Sequence, residues 1–513
     1  MSAVTQKGEA VALWRQLPGN PDALALYAEL SGNGERPGTL IFEQSRGPSF
    51  VLDRAAVQIE CRGGDVSLCA LSANGRNLVA IIAERMSERL VESGPEGVRF
   101  HFPPVDDPDA EERLNAPSPF DVLREVTLGL GLSTPEEAYG LLCLGVIAYD
   151  HVDLFEDLPG AADDPLDFPD YLFFVAESLI VFETGARPRA VCTAFGRPGS
   201  AEAWQAYADA SLRLSDLIER CRPAAPVASQ IARAAPDLAE ADLDDEAYAG
   251  LVRRMKLHIA NGEVYQIVAS RTFRAPCPRP LEAFAALRQA DPSPYTFFAS
   301  SESFQLFGAS PETSVRVFLR DGHHVEVKPI AGTRGRGASP DEDDRLEAEL
   351  RLDPKEQAEH MMLVDLARND VARVSIPGSR RVARLMDVER YARVMHLVSS
   401  VTGRLRPGYD FRHAMKACLN MGTLTGAPKI RATQLLREAE RTKRGPYGGT
   451  IGWISGQGEM DSAIVIRSAL AKDGIAFVRA GAGIVHDSDP TAEADETRRK
   501  AAALLSALAG ASG

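Results

Sequence analysis

Long apolar runs are missing from this sequence. The best of them, GLLCLGVIAY at 140–149, is about half the ~20 residues that a helix needs to cross a bilayer. The N-terminus, MSAVTQKGEAVALW, has no basic segment followed by an apolar one, so no secretory signal is expected. Nucleotide fingerprints are missing too. G-x-x-x-x-G-K-S/T does not occur, and GAGIVH is not G-x-G-x-x-G, which removes the standard phosphate cradles. No internal repeat stands out. Cysteine is sparse: Cys61, Cys69, Cys143, Cys192, Cys221, Cys277 and Cys418 are scattered, with no C-x-x-C among them. An odd number in a large chain reads as reduced thiols in a cytoplasmic protein. Positive charge is in short supply, with 57 basic against 72 acidic residues and a net charge of −15. Such a surface repels nucleic acid and anionic membrane, and neither is expected as a partner.

The 513 residues, 45% hydrophobic and 25% charged, suffice for one large or two medium globular domains. A stretch rich in Pro, Ala and Asp at 222–245 reads as a linker. It divides an N-terminal domain over 1–225 from a second domain over 240–510. Upstream, GTLIFEQ, AAVQIECRGGDVSLCAL and YLFFVAESLIVFE read as strands. NLVAIIAERMSERLVES and EAWQAYADASLRLSDLIERC read as helices. Downstream, YAGLVRRMKLHIANGE forms an amphipathic helix closed by Gly262. Strands follow at VYQIVASRTF, SFQLFGAS, ETSVRVFL and HHVEVKPIAG, then helices across 341–370 and 411–440. GGTIGWIS, AIVIRSAL and IAFVRAGAGIV are further strands, and a helix from Glu493 closes the chain. Strands come in hairpin-like groups instead of alternating with helices. That predicts an α+β fold with antiparallel sheets.

Two helical segments carry acidic pairs three residues apart: Glu356 and Glu359 in KEQAEHMMLVDLARND, and Glu493 and Glu496 in EADETRRKA. Such a pair costs stability unless a cation joins it. Each pair alone reads most simply as a solvated helix face. Four carboxylates together would call for a hard cation such as Mg²⁺. His360, with no second histidine near it, reads as a core or supporting residue. Glycine-rich segments lie near these pairs: KPIAGTRGRG, NMGTLTGAPKIRA, YGGTIGW and RAGAGIV. Pro428 suits the first turn of the following helix. The loops would let backbone N–H groups approach a small anion, with Arg467 as a carboxylate clamp.

The strings DPSPYTFF, LFGASPET, PIAGTRGRG, EQAEHMMLVDLARND, VMHLVSSVTG, MGTLTGAPKIRA, YGGTIGW, DSAIVIRSA and AGAGIVHDSDPTAEADETRRKA run in this order through 240–505. They resemble the chorismate-utilising enzymes, above all the large subunit (component I) of anthranilate synthase. A weaker likeness continues into ERPGTLIFE and GVIAYDHVDLFEDLP. The resemblance implies two antiparallel β-sheets packed as a sandwich with flanking helices. It implies Mg²⁺ on Glu359 and Glu496, with Glu356 and Glu493 as direct or water-mediated neighbours. Chorismate contacts carry over onto Gly332, Thr333, Thr423, Tyr447, Arg467, the Gly481, Ala482 and Gly483 backbone, and Lys500. Glu312 matches the general acid and His396 the histidine of the pyruvate-releasing step. A separate glutaminase subunit, component II, would supply ammonia in a hetero-oligomer. Cys143 lacks the surroundings of a glutaminase nucleophile and reads as a buried residue.

Two departures from sister enzymes bear on the product. Water-activating relatives place lysine where this chain has Gln266, and a neutral amide cannot deprotonate water. Aminodeoxychorismate synthases commonly carry a lysine where Ala331 stands. Anthranilate is therefore the expected product. A 2-amino-2-deoxyisochorismate synthase, an aminodeoxychorismate synthase-like enzyme or a non-catalytic relative are the alternatives. The resemblance also places a tryptophan effector pocket at Gln44, Pro294, Tyr295 and Thr296. Gln44 replaces a serine and Thr296 a methionine, so weakened feedback is expected, as suits secondary metabolism.

Overall fold

The computed structural model describes residues 8–105, 109–156, 158–159, 163–221, 227, 239–391 and 394–512. The centre of the expected linker lies outside the described residues. Its last part is not linker: Glu240–Ala241 pairs with Phe273–Arg274. Asp244 then accepts from the Ala247 N–H to start the helix Asp245–Ala260.

The strands pair antiparallel throughout. Their pairings close on themselves, so the two faces of the sandwich are joined along their edges. Period-two alternation decides what each strand buries. One core, containing Phe42, Phe50, Leu144, Phe174, Phe297 and Trp453, is built from strands and the loops between them. The opposite strand faces meet helices. Phe298 and Phe307 pack on Phe284 of the helix Pro280–Ala290, in a core that Leu504 and Leu508 of the last helix, Pro490–Ser512, also join. Each fully buried phenylalanine or leucine contributes about 1.5–3 kcal/mol. The predicted α+β sandwich is what the chain adopts.

Strands from the two ends of the sequence are woven together. Thr39–Gln44 pairs with Tyr295–Ser300, placing Gln44 opposite Tyr295. Leu142–Ile147 pairs with Thr450–Ser455. Cys143 is therefore a fully buried strand residue. Among the described residues, no helix is long and apolar enough to cross a membrane.

Three local expectations fail for tertiary reasons. The helix expected over 77–93 spans Ala73–Arg85, and Leu90–Ser93 becomes a strand paired with Gly97–His101. AIVIRSAL is two strands, Met460–Ile464 and Ser468–Lys472. They are separated by Arg467, whose φ of 47° no strand allows. Pro428 sits just ahead of the helix Lys429–Glu440, at its cap position, instead of in its first turn.

Candidate active site

A cavity of about 210 Å³ opens where four β segments and two helices meet, lined among others by Glu312, Thr333, His396, Thr423, Tyr447, Arg467, Gly481, Gly483 and Lys500. The strand Gln266–Pro276 supplies one wall and pairs with Ile475–Ile484, so that Ser270 faces Gly481. Alternation sends Val268 to the cavity and Ile267 and Ala269 into the helix-facing core. It also explains the three-residue run at 481–483. The two glycines line the cavity, whereas Ala482 is fully buried and does not. At 483 a Cβ would lie 2.9 Å from Gln266 Nε2, so a larger residue would have to push that side chain aside, whereas the demand for glycine at 332 is in the backbone. The φ of Gly332 is 66°, and a Cβ would meet Glu356 Oε2 and Leu350 at 3.0 Å.

His396 stands on Val394–Arg404, opposite Thr333 in register. Its Nδ1 lies 3.2 Å from the Gly332 carbonyl and 3.1 Å from Thr333 Oγ1. A carbonyl only accepts, so Nδ1 carries the hydrogen and Nε2 keeps a lone pair. Nε2 is buried and has no hydrogen-bond partner among the described residues. Burial, aided by the Arg467 charge, lowers the imidazole pKa and keeps it neutral. His396 is thus a base aimed at empty space.

Glu312 occupies the turn between the strands Gln305–Ser310 and Thr313–Leu319, only 5% exposed. Burial pushes its carboxyl up to about 8, with Thr423 and Lys500 opposing. It is therefore protonated at neutral pH and able to give a proton. Its Oε1 is unpartnered, as are Thr423 Oγ1 and Gln266 Oε1. Thr423 and Glu312 approach one another without a hydrogen bond of good geometry. Gln266 does not line the cavity, but three bare polar atoms around one small space, on Glu312, His396 and Thr423, are still unusual, since buried polar groups are nearly always paired. They define a surface built to be satisfied by a ligand.

The remaining cavity groups are engaged. Arg467 is 2.9 Å from Asp291 Oδ2. Lys500 Nζ donates to the Gly481 carbonyl at 3.0 Å and reaches Glu496 Oε1 at 2.8 Å. Burial pushes the Tyr447 hydroxyl up to about 12.

Beside the cavity run the two acidic helices. Pro354–Val374 begins at Asp353, whose carboxylate accepts from the N–H groups of Lys355 and Glu356. Pro490–Ser512 begins after Asp489, which accepts from Thr491 and Ala492. Partial burial raises the Glu359 pKa, and Glu356, Glu493 and Glu496 raise it further, so all four carboxylates share one field. The Glu493 pKa is raised in the same way. As placed, each turns to a local partner: Glu356 to Arg334 at 3.3 Å, Glu359 to Lys355 at 3.9 Å, Glu496 to Lys500, and Glu493 to Ser488. Among the described residues, no three acidic, histidine or cysteine side chains already converge on one point. The donor set still suits a hard divalent ion: four carboxylate oxygens, mutually repelling and half-buried. His360 is in the core, its Nε2 2.6 Å from Ser399 Oγ.

Of the proposed effector residues, Gln44 and Tyr295 are register partners on one face of the sheet, whereas Thr296, opposite Glu43, faces the other side. Gln44 Oε1 accepts from the Trp453 indole at 3.1 Å. Pro294 accepts from the Ser45 N–H. Tyr295 donates to Asp461 Oδ1 at 3.1 Å and meets Thr313 Oγ1 at 2.8 Å. Thr296 donates to Glu43, which Arg288 clamps at 2.7 Å.

One buried group was not anticipated. Glu440 binds Arg444 at 2.8 Å, Arg479 at 2.7 Å and Ser270 Oγ at 2.8 Å. Burial would raise its pKa, but the two guanidinium groups hold it down at about 2. Arg444 also donates to the carbonyls of Leu424 and Val268, and Arg479 lines the cavity. The i, i+4 spacing of Glu440 and Arg444 was the available signal.

A model of the chorismate binding enzyme family matches residues 89–506. The chain belongs to the chorismate-binding enzymes. Within that family it is 44% identical to the anthranilate synthase component 1 of Vibrio cholerae, over 97% of this chain and 96% of the relative. It is 44% identical to the pyocyanine-specific anthranilate synthase component 1 of Pseudomonas aeruginosa, over 90% and 87%. The crystal structure of anthranilate synthase component I from Streptococcus pneumoniae superposes with a TM-score of 0.69 at 30% identity, covering 90% of this chain and 92% of that one.

Proposed function

We propose that the chain is the large subunit of an anthranilate synthase, converting chorismate and ammonia to anthranilate, pyruvate and water. Relatives of that name at 44% identity along nearly the whole chain support the reading. The observation that carries it is the pairing in one cavity of a bare, neutral His396 Nε2 with a protonated Glu312.

The chemistry needs both. Ammonia adds at ring C2, the ring double bond shifts, and the C4 hydroxyl departs. Hydroxide leaves poorly, and Glu312 donates the proton that lets it go as water. His396 Nε2 then takes the C2 proton. That electron pair completes the aromatic ring, the C3–O bond breaks, and the group leaves as enolpyruvate, which takes a proton from water at its methylene carbon to become pyruvate. Thr423 and the Gly481–Gly483 backbone hold the substrate, and Arg467 and Lys500 meet its carboxylates. Glu359 and Glu496 would hold Mg²⁺, with Glu356 and Glu493 directly or through water. When bound, that ion neutralises the ring carboxylate of the substrate and draws charge from the ring.

Gln266 and Ala331 favour ammonia over water and argue against a lysine adduct. The nitrogen source is a partner glutaminase subunit, in a cytoplasmic hetero-oligomer. Feedback by tryptophan is weakened by Gln44 and Thr296. The test is anthranilate fluorescence from chorismate and ammonium with and without Mg²⁺, with products identified by mass. Mg²⁺-dependent fluorescence with one pyruvate per anthranilate is expected. Accumulation of 2-amino-2-deoxyisochorismate without pyruvate, or no turnover, overturns the reading.

A further inference from the structure

Arg271 is the bulkiest fully buried side chain, 1% exposed. A guanidinium is costly to bury unless its donors are all used. Here four of the five N–H groups are used, and the partners are informative. Nε donates to Thr497 Oγ1 and Nη2 to the Ala494 carbonyl, both at 2.9 Å. Nη1 donates to the Leu243 carbonyl and pairs with Asp245 Oδ1, again at 2.9 Å. Asp245 in turn pairs with Arg498. The rings of Tyr248 and Phe273 lie 5.0 and 5.1 Å from the guanidinium carbon. Three of these partners, Ala494, Thr497 and Arg498, sit in the last helix around Glu493 and Glu496.

Ala494 and Thr497 are fully buried. On a helix they lie one residue, about 100°, around from Glu493 and Glu496. Fixing the first pair fixes the rotation of the helix and hence the direction of the second. The anchor is rigid, because Arg271 stands on the strand Gln266–Pro276, opposite Ala480. The next pair, Ser270 and Gly481, is where Lys500 attaches from the same helix. The strand that walls the cavity therefore also orients the acidic helix.

We propose that Arg271 is a positioning residue for the divalent cation: through Ala494 and Thr497 it sets the rotation of the helix that presents Glu493 and Glu496. This rests on the reading of those glutamates as cation ligands. A purely structural buried arginine would stabilise the fold and leave cation affinity unchanged.

The probe is Mn²⁺ in place of Mg²⁺, its free concentration read by electron paramagnetic resonance on the whole chain, with melting temperature measured in parallel. Thr497→Val removes one acceptor, and Arg271→Lys keeps the charge but loses the planar fork. Each should raise the Mn²⁺ Kd about 10-fold or more, the usual effect of losing a residue that orients a ligand. Thr497→Ser, which restores the hydroxyl, should bind close to the parent. Should Arg271→Lys fail to fold, the Val and Ser pair decides alone. Glu496→Gln separates the two ideas. If it weakens Mn²⁺ while Thr497→Val and Arg271→Lys stay within twofold of the parent, Arg271 is structural and the proposal fails. If Glu496→Gln binds like the parent, or the parent binds no Mn²⁺, the ligand reading itself fails.

Discussion

The catalytic cavity and the region around Gln44 are both buried, polar and assembled from distant segments, yet they treat their polar atoms in opposite ways. The cavity leaves Glu312 Oε1, His396 Nε2 and Thr423 Oγ1 without partners. Around Gln44, by contrast, Trp453, Asp461, Thr313, Glu43 and Arg288 use almost every donor and acceptor. Only Gln44 Nε2 lacks a bond of good geometry there. An unpaired buried group costs about 1–3 kcal/mol, so a chain that keeps three of them in one place gives up stability for binding. A region that satisfies itself internally has little left to offer a visitor.

The contrast can be broken most forcefully at Glu312. Glu312→Gln should cut anthranilate formation about 10²–10⁴-fold while barely moving the melting temperature. A loss of stability as large as the loss of rate would show that the carboxyl was structural. The same residue fixes a pH limit. Its pKa is raised to about 8, so the proton is present below that pH and lost above it. At constant free ammonia, the parent rate should fall about tenfold per unit above pH 8. A flat profile to pH 10 would contradict the assigned acid.

In the saturated region the effects should reverse. Tyr295→Phe strips the donor from Asp461, which burial already holds up at about 6. It should cost about 1–3 kcal/mol in denaturant unfolding, with kcat within twofold of the parent. The smallest effect concerns tryptophan. At micromolar concentration it should leave the parent more than half active, whereas Gln44→Ser, alone or with Thr296→Met, should gain inhibition. Half-inhibition of the unaltered chain would refute the closed pocket.

The contrast also explains what the sequence could and could not reveal. Glu312, His396 and the acidic pairs sit in long contiguous strings, and it is the resemblance of those strings to the family, not local spacing, that suggested their roles. The lysine partners of Glu359 and Glu496 are four residues away and local. Arg479 and Ser270 meet Glu440 only because Gln266–Pro276 and Ile475–Ile484 pair in one register, which no local pattern encodes. Leu90–Ser93 continued a helical pattern, but its partner strand Gly97–His101 overrode it. The break at Arg467 was invisible for a similar reason: IVIRSA alternates well as a strand, and the left-handed residue is imposed by the turn into the cavity.

The weave of early and late strands bears on how the chain is made. Leu142–Ile147 pairs along one edge with Tyr171–Phe182 soon after synthesis, but its other neighbour, Thr450–Ser455, follows roughly 300 residues later. At about 5–20 residues per second, that edge stays open on the ribosome for roughly 15–60 s. An unprotected strand edge is a template for aggregation, so nascent chains halted before residue 450 should be far more sensitive to protease at 142–147 than the released full-length chain.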